Sequence, residues 1–179
     1  DPASINTTLS ASAIALTVTV SVLKLSAIEV AFEGEIALII GKTVRRVDPE
    51  AGWAAISGIT AANDFGVYDL RYVDKGSNLR NKCGDGFTPM GPNVIDAEGL
   101  DPRAIRVRTW VNGTLAQDDT SADLTFWFGL LVSDLSQLMT LEAGDVIACG
   151  TSVGAGAMKD GDTVEIAIDG IGSLLNRFA

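Results

Sequence analysis

The sequence predicts an α+β fold dominated by strands, with a few short helices. Its 19 glycines require many turns. Two segments alternate apolar and polar residues with the period of two of a half-buried strand, while a single long segment carries a helical stripe. In chain order, the apolar run 13–23 is rich in Thr and Val, is broken by Lys24 and is too short to span a bilayer, which makes it a strand. Its flank begins at Asp1 without a basic region, so no signal peptide is expected there. The run 36–40, IALII, ends at Gly41 and suits a buried strand. Asp48-Pro49-Glu50 combines a capping Asp, a Pro at the first turn and an acid near the positive helix end. It predicts a helix running to about Ile56 and stopping at Gly58. Arg106 to Val111 places Val107, Thr109 and Val111 on one face, and Asn112-Gly113 then supplies the φ > 0 residues of a tight hairpin. In 123–139, Trp127, Leu131, Leu135 and Leu138 form one stripe of an amphipathic helix. Val164, Ile166 and Ile168 mark Thr163 to Ile168 as a half-exposed strand. With no internal repeat and no low-complexity linker, 1–179 is expected to form a single domain.

Composition narrows the function. Hydrophobic residues make up 47 % and charged ones 20 %, as in globular proteins. The net charge of −10 repels nucleic-acid backbones and anionic membranes, so neither is an expected partner, whereas a small acid received by a local basic patch is compatible. These 179 residues contain no histidine, so they offer neither a Ser-His-Asp nor a Cys-His nucleophile, nor a His-based zinc site. Two cysteines, Cys83 and Cys149, do not make a secreted disulfide framework, and a reducing cytoplasm is expected.

The chemistry concentrates in VAFEGEIALIIGK, 30–42. Two residues apart on a strand, Glu33 and Glu35 share a face, with backbone origins about 6.6 Å apart. Two like charges at that separation repel by roughly 2.5 kcal/mol at an effective dielectric near 20. Water, a nearby Arg or Lys, a raised pKa or a cation between them could each offset this. Asp64 follows the apolar run 59–62 at an expected strand end, where ligands of a shared ion collect. Three acids on one side of an octahedron, with waters and substrate on the other, suit Mg²⁺, and hard oxygens also suit Mn²⁺ or Ca²⁺.

RYVDKGSNLRNK gathers Arg71, Lys75, Arg80 and Lys82 around the single acid Asp74, either as a solvated loop or as an anion-receiving patch. CGTSVGAGAM could cradle an anion on backbone N–H groups, but it lacks the Lys-Ser/Thr ending of a phosphate loop and the spacing of a dinucleotide site. Cys83 lies beside Lys82 without a His partner and is expected to be a bystander.

In sequence order, FEGEIALIIGK, ANDFGVYDL, KCGDGFTPMGP, VNGTLAQDDTSADLTF, MTLEAGDVIACGTSVG and GIGSLLNRF resemble the fumarylacetoacetate hydrolase family over 27–178. Within it, they are most similar to the bacterial 2-hydroxyhepta-2,4-diene-1,7-dioate isomerases and oxopent-ene-tricarboxylate decarboxylases. The resemblance implies a mixed β-sandwich roll, a homodimer and a divalent ion on Glu33, Glu35 and Asp64. It further implies that Lys82 holds the substrate's carboxylate or carbonyl oxygen, and that Thr151 with the Gly150 backbone binds its far carboxylate. The chain departs from the family's pattern at Ser152, where Pro is usual, at Tyr68, where many members have Arg, and at Arg71, where Gln is common. Arg71 is thereby a further candidate for substrate binding. Residues 1–26 match only in fragments and carry no lid His. The expectation is that segments are omitted near 20–21 and 26–27, so that the mass lies well above 18.7 kDa.

The implied substrates are 2-oxo or 2-hydroxy-enoic acids with a second acid group, in aromatic-compound catabolism. A metal-stabilised enolate of such a molecule can lose CO₂, shift a proton along a diene or undergo C–C cleavage by activated water. The first two need only a proton donor, which favours an isomerase or decarboxylase over a hydrolase of acylpyruvates. A function of another class, a non-catalytic metal-stabilised module, would bind the ion without turnover.

Overall fold

The computed structural model describes residues 15–20, 29–73 and 75–178, with backbone alone for 15–20. Residues 21–28, where both expected omissions fall, lie outside the described residues. Twelve strands are described: β1 Ala15–Val20, β2 Val30–Phe32, β3 Gly34–Ile40, β4 Ile56–Asn63, β5 Gly66–Val67, β6 Met90–Asp96, β7 Arg106–Val111, β8 Thr114–Thr120, β9 Val146–Thr151, β10 Gly156–Met158, β11 Thr163–Ile168 and β12 Gly172–Phe178. The α-helices are α1 Pro49–Trp53, α2 Asp69–Val73, α3 Leu79–Lys82 and α4 Phe128–Leu138. The strands form a five-stranded sheet β1-β12-β11-β7-β8, a four-stranded sheet β6-β4-β3-β9 and a small sheet β10-β2-β5. Only the β1–β12 pair is parallel among these, so the architecture is strand-rich and mixed, as expected.

The two largest sheets enclose the core. Val164, Ile166 and Ile168 of β11 turn inward, the alternation read from the sequence, and meet Leu38, Ile40 and Ile59 of the other sheet in one buried cluster. Phe65 and Phe178 close one end in an edge-to-face pair with centroids 4.7 Å apart. The hairpin forms as expected, with Asn112 at φ 49° and Gly113 at φ 79° between β7 and β8. The expected strand in 13–23 is represented by β1.

Two expectations are corrected. The helix after Asp48 is capped as expected, its carboxylate accepting from Ala51 N at 2.7 Å, but it ends at Trp53 instead of running to Ile56. Ile56 instead opens β4, which is paired on both sides, with β3 and β6. Ladder bonds on two edges and burial of nearly every side chain outweigh a short helix's weak local preference. Second, helix α4 begins at Phe128 and buries Phe128, Gly129, Val132, Ser133 and Ser136, not the leucine stripe, whose Leu138 is 75 % exposed. Its partner is α1, where Phe128 stacks on the Trp53 ring with centroids 6.1 Å apart and the two backbones approach closely. A Cβ on Gly52 would stand 2.5 Å from Gly129 O, and Ser133 Oγ donates to Val47 O at 2.8 Å. Small residues and hydroxyls fit that polar, close approach where leucines would not. The basic stretch around 71–82, open between a solvated loop and an anion-receiving patch, contains α2 and α3.

Candidate metal centre

The antiparallel β3–β4 pair builds the site. Gly34 pairs with Asn63, so Glu33, just before β3, and Asp64, just after β4, become neighbours by register. Glu33 lies at the break between β2 and β3, which belong to different sheets, and not inside one continuous strand as expected. Two bonds set its place: Glu33 N donates to Asn63 Oδ1 at 3.0 Å, and Glu33 O accepts from Asp64 N at 3.0 Å. Asn63 Nδ2 in turn donates to Asn176 Oδ1 of β12 at 2.9 Å, tying this corner to the five-stranded sheet.

Glu33, Glu35 and Asp64 each offer a carboxylate oxygen within 4.8 Å of the others. Glu33 is 8 % exposed and Glu35 only 3 %. At 4.8 Å two full negative charges repel by roughly 3.5 kcal/mol at an effective dielectric near 20. Several groups offset that. Lys82 Nζ lies 2.8 Å from Glu33 Oε2 and 3.0 Å from Asp64 Oδ2, and it donates to Asp64 O at 2.6 Å. Tyr68 OH donates to Glu33 Oε1 at 2.5 Å, Thr88 Oγ1 to Asp64 Oδ1 at 3.0 Å, and Gly150 N to Glu35 Oε2 at 2.8 Å. Burial pushes the Glu35 carboxyl up to about 7, aided by Asp64 and Glu33 and opposed by the Gly150 hydrogen bond and by Lys82. Burial and the bond to Glu33 push the Tyr68 phenol up to about 12, which keeps it a proton donor at neutral pH. One ammonium against three convergent carboxylates leaves an excess of hard oxygen donors, the chemistry that suits a divalent cation.

Of the residues singled out from the sequence, Glu33, Glu35, Asp64 and Lys82 come together directly. Gly150 N turns to Glu35, not to open space. The Thr151 hydroxyl donates to Gly34 O at 3.0 Å and lines, with Gly150, Ser152, Ile36, Leu124 and Phe126, a cavity of about 370 Å³. Arg71 is exposed, with its guanidinium carbon 4.3 Å from the centroid of the Tyr68 ring. Cys83 is exposed, and burial, followed by the Glu35 charge, pushes the Cys149 thiol far up, so neither has the surroundings of a reactive thiolate. Sequence reasoning assigned no role to Tyr68, Thr88 or Asn63. The signals were present in VYD, FTP and AND, but polar residues beside a turn do not show from the sequence which acid they face.

Gly34, between the two glutamates, has no room for a side chain. A Cβ there would stand 2.0 Å from Thr109 Oγ1 and 3.0 Å from Gln117 Oε1. Gly34→Ala is therefore expected to cost about 2–3 kcal/mol of stability by overpacking. Adding Thr109→Ala should recover more than half of it in chemical denaturation. Strict additivity of the two substitutions would show that the contact is not the cause.

The chain's sequence from 5 to 179 matches the model of the family described as fumarylacetoacetate hydrolase, C-terminal. It is 42 % identical over 147 residues to the 4-hydroxyphenylacetate degradation bifunctional isomerase/decarboxylase of Salmonella dublin, covering 82 % of this chain and 34 % of that protein. It is 37 % identical over 158 residues to the oxaloacetate tautomerase YisK of Bacillus subtilis, covering 82 % of this chain and 51 % of the other. The chain thus spans between a third and a half of the length of these two relatives. The crystal structure of the 5-carboxymethyl-2-hydroxymuconate delta-isomerase of Mycobacterium smegmatis superposes with a TM-score of 0.82 at 36 % identity, covering 92 % of this chain and 63 % of that one. With the family's model matched along nearly its whole length, and acids, lysine and strands arranged as described, this chain belongs to the fumarylacetoacetate hydrolase family.

Proposed function

We propose that the protein is a divalent-metal-dependent enzyme acting on small 2-oxo or 2-hydroxy-enoic acids that carry a second acid group, as an isomerase or decarboxylase. The observation that carries this is the convergence of Glu33, Glu35 and Asp64 within 4.8 Å, with Lys82 beside them. The names of the similar Salmonella and Mycobacterium proteins support the reaction class, and the Bacillus one supports an oxo-acid that tautomerises. In this reading Glu33, Glu35 and Asp64 hold Mg²⁺ or Mn²⁺. When bound, such an ion supplies Lewis acidity toward the carboxylate and adjacent oxygen of the substrate.

The chain's own residues do the rest. The Lys82 ammonium, with only 13 % of its side chain exposed, donates to the substrate's carboxylate or carbonyl oxygen and stabilises charge that develops there. Tyr68 keeps one Glu33 oxygen occupied, and so fixes the orientation of that carboxylate. Arg71, held over the Tyr68 ring at the exposed side, receives the second acid group. Gly150 serves by orienting Glu35.

The test is turnover of oxaloacetate and of an acylpyruvate, followed by enol absorbance and by product analysis, with Mg²⁺ or Mn²⁺ and then with EDTA. Divalent-dependent keto–enol exchange or CO₂ release is expected. Release of pyruvate from the acylpyruvate would assign C–C hydrolysis instead. Thermal stabilisation by Mg²⁺ without turnover of either compound would overturn the enzymatic reading in favour of a metal-stabilised module.

A further inference from the structure

Behind the two glutamates lies a buried side chain that the chemistry above does not use. Between Glu35 and Ala37 the β3–β9 register slips: Glu35 pairs with Thr151 and Ala37 with Ala148, so Cys149 and Gly150 together oppose Ile36. This bulge is what frees Gly150 N from the ladder and turns it, at φ 96°, onto Glu35 Oε2. A bulged residue has lost its strand partner, so the ladder does not fix where it points. Something outside the β3–β9 pair must do so.

Gln117 of β8 fills that role geometrically. It is 2 % exposed, and its Nε2 donates to Thr151 Oγ1 and Ser152 O, each at 2.9 Å, with Ser152 Oγ at 3.2 Å. Thr151 Oγ1 passes the connection on to Gly34 O at 3.0 Å, between the two glutamates. On the other side of its amide, Gln117 Oε1 lies 3.0 Å from where a Cβ on Gly34 would be. The turn after β9 is pressed against the same strand, for a Cβ on Gly154 would stand 2.2 Å from Ala116 O. One amide thus spans the gap between the Glu33-Gly34-Glu35 segment and the bulge that holds the Glu35 carboxylate.

We propose that Gln117 is a positioning residue of the metal centre: by clamping the 150–152 bulge against Gly34 it sets the direction of the Gly150 N–H, and through it the rotamer of Glu35. The inference rests on the assignment of Glu33, Glu35 and Asp64 as metal ligands. Residues that orient metal ligands from outside typically govern affinity by about 10–100-fold when removed, because the ligand must then be ordered at the ion's expense.

The test uses Gln117→Met, similar in length without the amide, and Gln117→Glu, similar in shape without the donor hydrogens. Mn²⁺ affinity is read by calorimetry and by the loss of the free-ion EPR signal, beside the melting temperature of the metal-free protein. Both variants are expected to bind Mn²⁺ at least 10-fold more weakly than the wild type while folding, with an altered EPR line shape for the bound ion. Affinity within twofold of wild type in a folded variant overturns the proposal, even if the melting temperature drops. Failure of both variants to fold assigns Gln117 to the fold and overturns it as well. Absence of Mn²⁺ binding by the wild type would overturn the metal assignment itself, a result distinguishable from the other two.

Discussion

Glu35→Gln is expected to abolish divalent-dependent turnover and, at the same time, to stabilise the metal-free protein above neutral pH. The side chain is 3 % exposed and close to two other acids, and its carboxyl is pushed up to about 7 from an ordinary 4.5. A raised carboxyl binds its proton more tightly in the folded chain than in the unfolded one. Its favourable contribution is complete below pH 4.5 and drains away as pH rises toward 7. The span corresponds to about 3 kcal/mol. A neutral amide of the same shape can still accept from Gly150 N and escapes that loss, so denaturation in EDTA at pH 8 should show the variant more stable by up to about 3 kcal/mol. At pH 4.5 the difference should largely vanish. Metal affinity moves the other way, falling by more than the roughly 10–100-fold that loss of a supporting residue costs, since a ligand itself is gone. Opposite signs for stability and activity mark a residue kept for what it binds. Wild-type turnover in the variant would remove Glu35 from the metal site.

Strands and ligands were legible in the sequence to different degrees, and the physical reasons differ. The β7–β8 hairpin and β11 could be read because each has one dry and one wetter face, which leaves alternation in the sequence. Strand β4 is legible only at its end, where the apolar run 59–62 precedes Asp64: six of its last seven residues are buried, so ISGITAAN shows no period and its start resembles a continuation of the preceding helix. The inward face of α4 departs from the leucine stripe because part of its contact with α1 is a close approach of backbones, for which leucine content is a poor guide. Serine hydroxyls on carbonyls and glycines at the crossing make that contact.

The site divides in the same way. Glu33 and Glu35 could be paired locally, and Asp64 stood out as an acid directly after an apolar run. Their convergence rests on a register, Gly34 opposite Asn63, that no local pattern specifies. Tyr68, Thr88 and Gln117 reach the acids or the bulge across separations that only the packed sheets define. Resemblance to the family agreed with the ligand set read from the residues and supplied the role of Lys82. It supplied nothing for Tyr68, which the family pattern marks only as a departure and which here occupies an oxygen of Glu33.

Lys82→Met is expected to move two properties of the site in opposite directions, tightening cation binding while slowing turnover. In the metal-free protein the ammonium serves Glu33 Oε2, Asp64 Oδ2 and Asp64 O, all within 3.0 Å. A divalent cation held by those oxygens would be repelled by the ammonium, by several kcal/mol at close range and an effective dielectric near 20. The flexible lysine stem can swing away and relieve most of that, leaving a modest penalty on the ion. Removing the charge should therefore lower the Mg²⁺ Kd by about 3–10-fold, a remnant of that Coulomb term. The metal-free variant should lose about 3 kcal/mol of stability, the cost of leaving buried acids without their counter-ion. Turnover depends on the same ammonium differently. If Lys82 donates to the substrate oxygen where charge builds up, its loss should lower kcat/KM by about 10²–10³-fold at saturating Mg²⁺. Calorimetry and steady-state rates on oxaloacetate separate the two effects. Tighter binding with unchanged kcat/KM would reduce Lys82 to a charge-balancing group. Weaker binding would mean that the lysine organises the carboxylates more than it opposes the ion. Only tighter binding together with slow turnover places its charge where the substrate, not the metal, uses it.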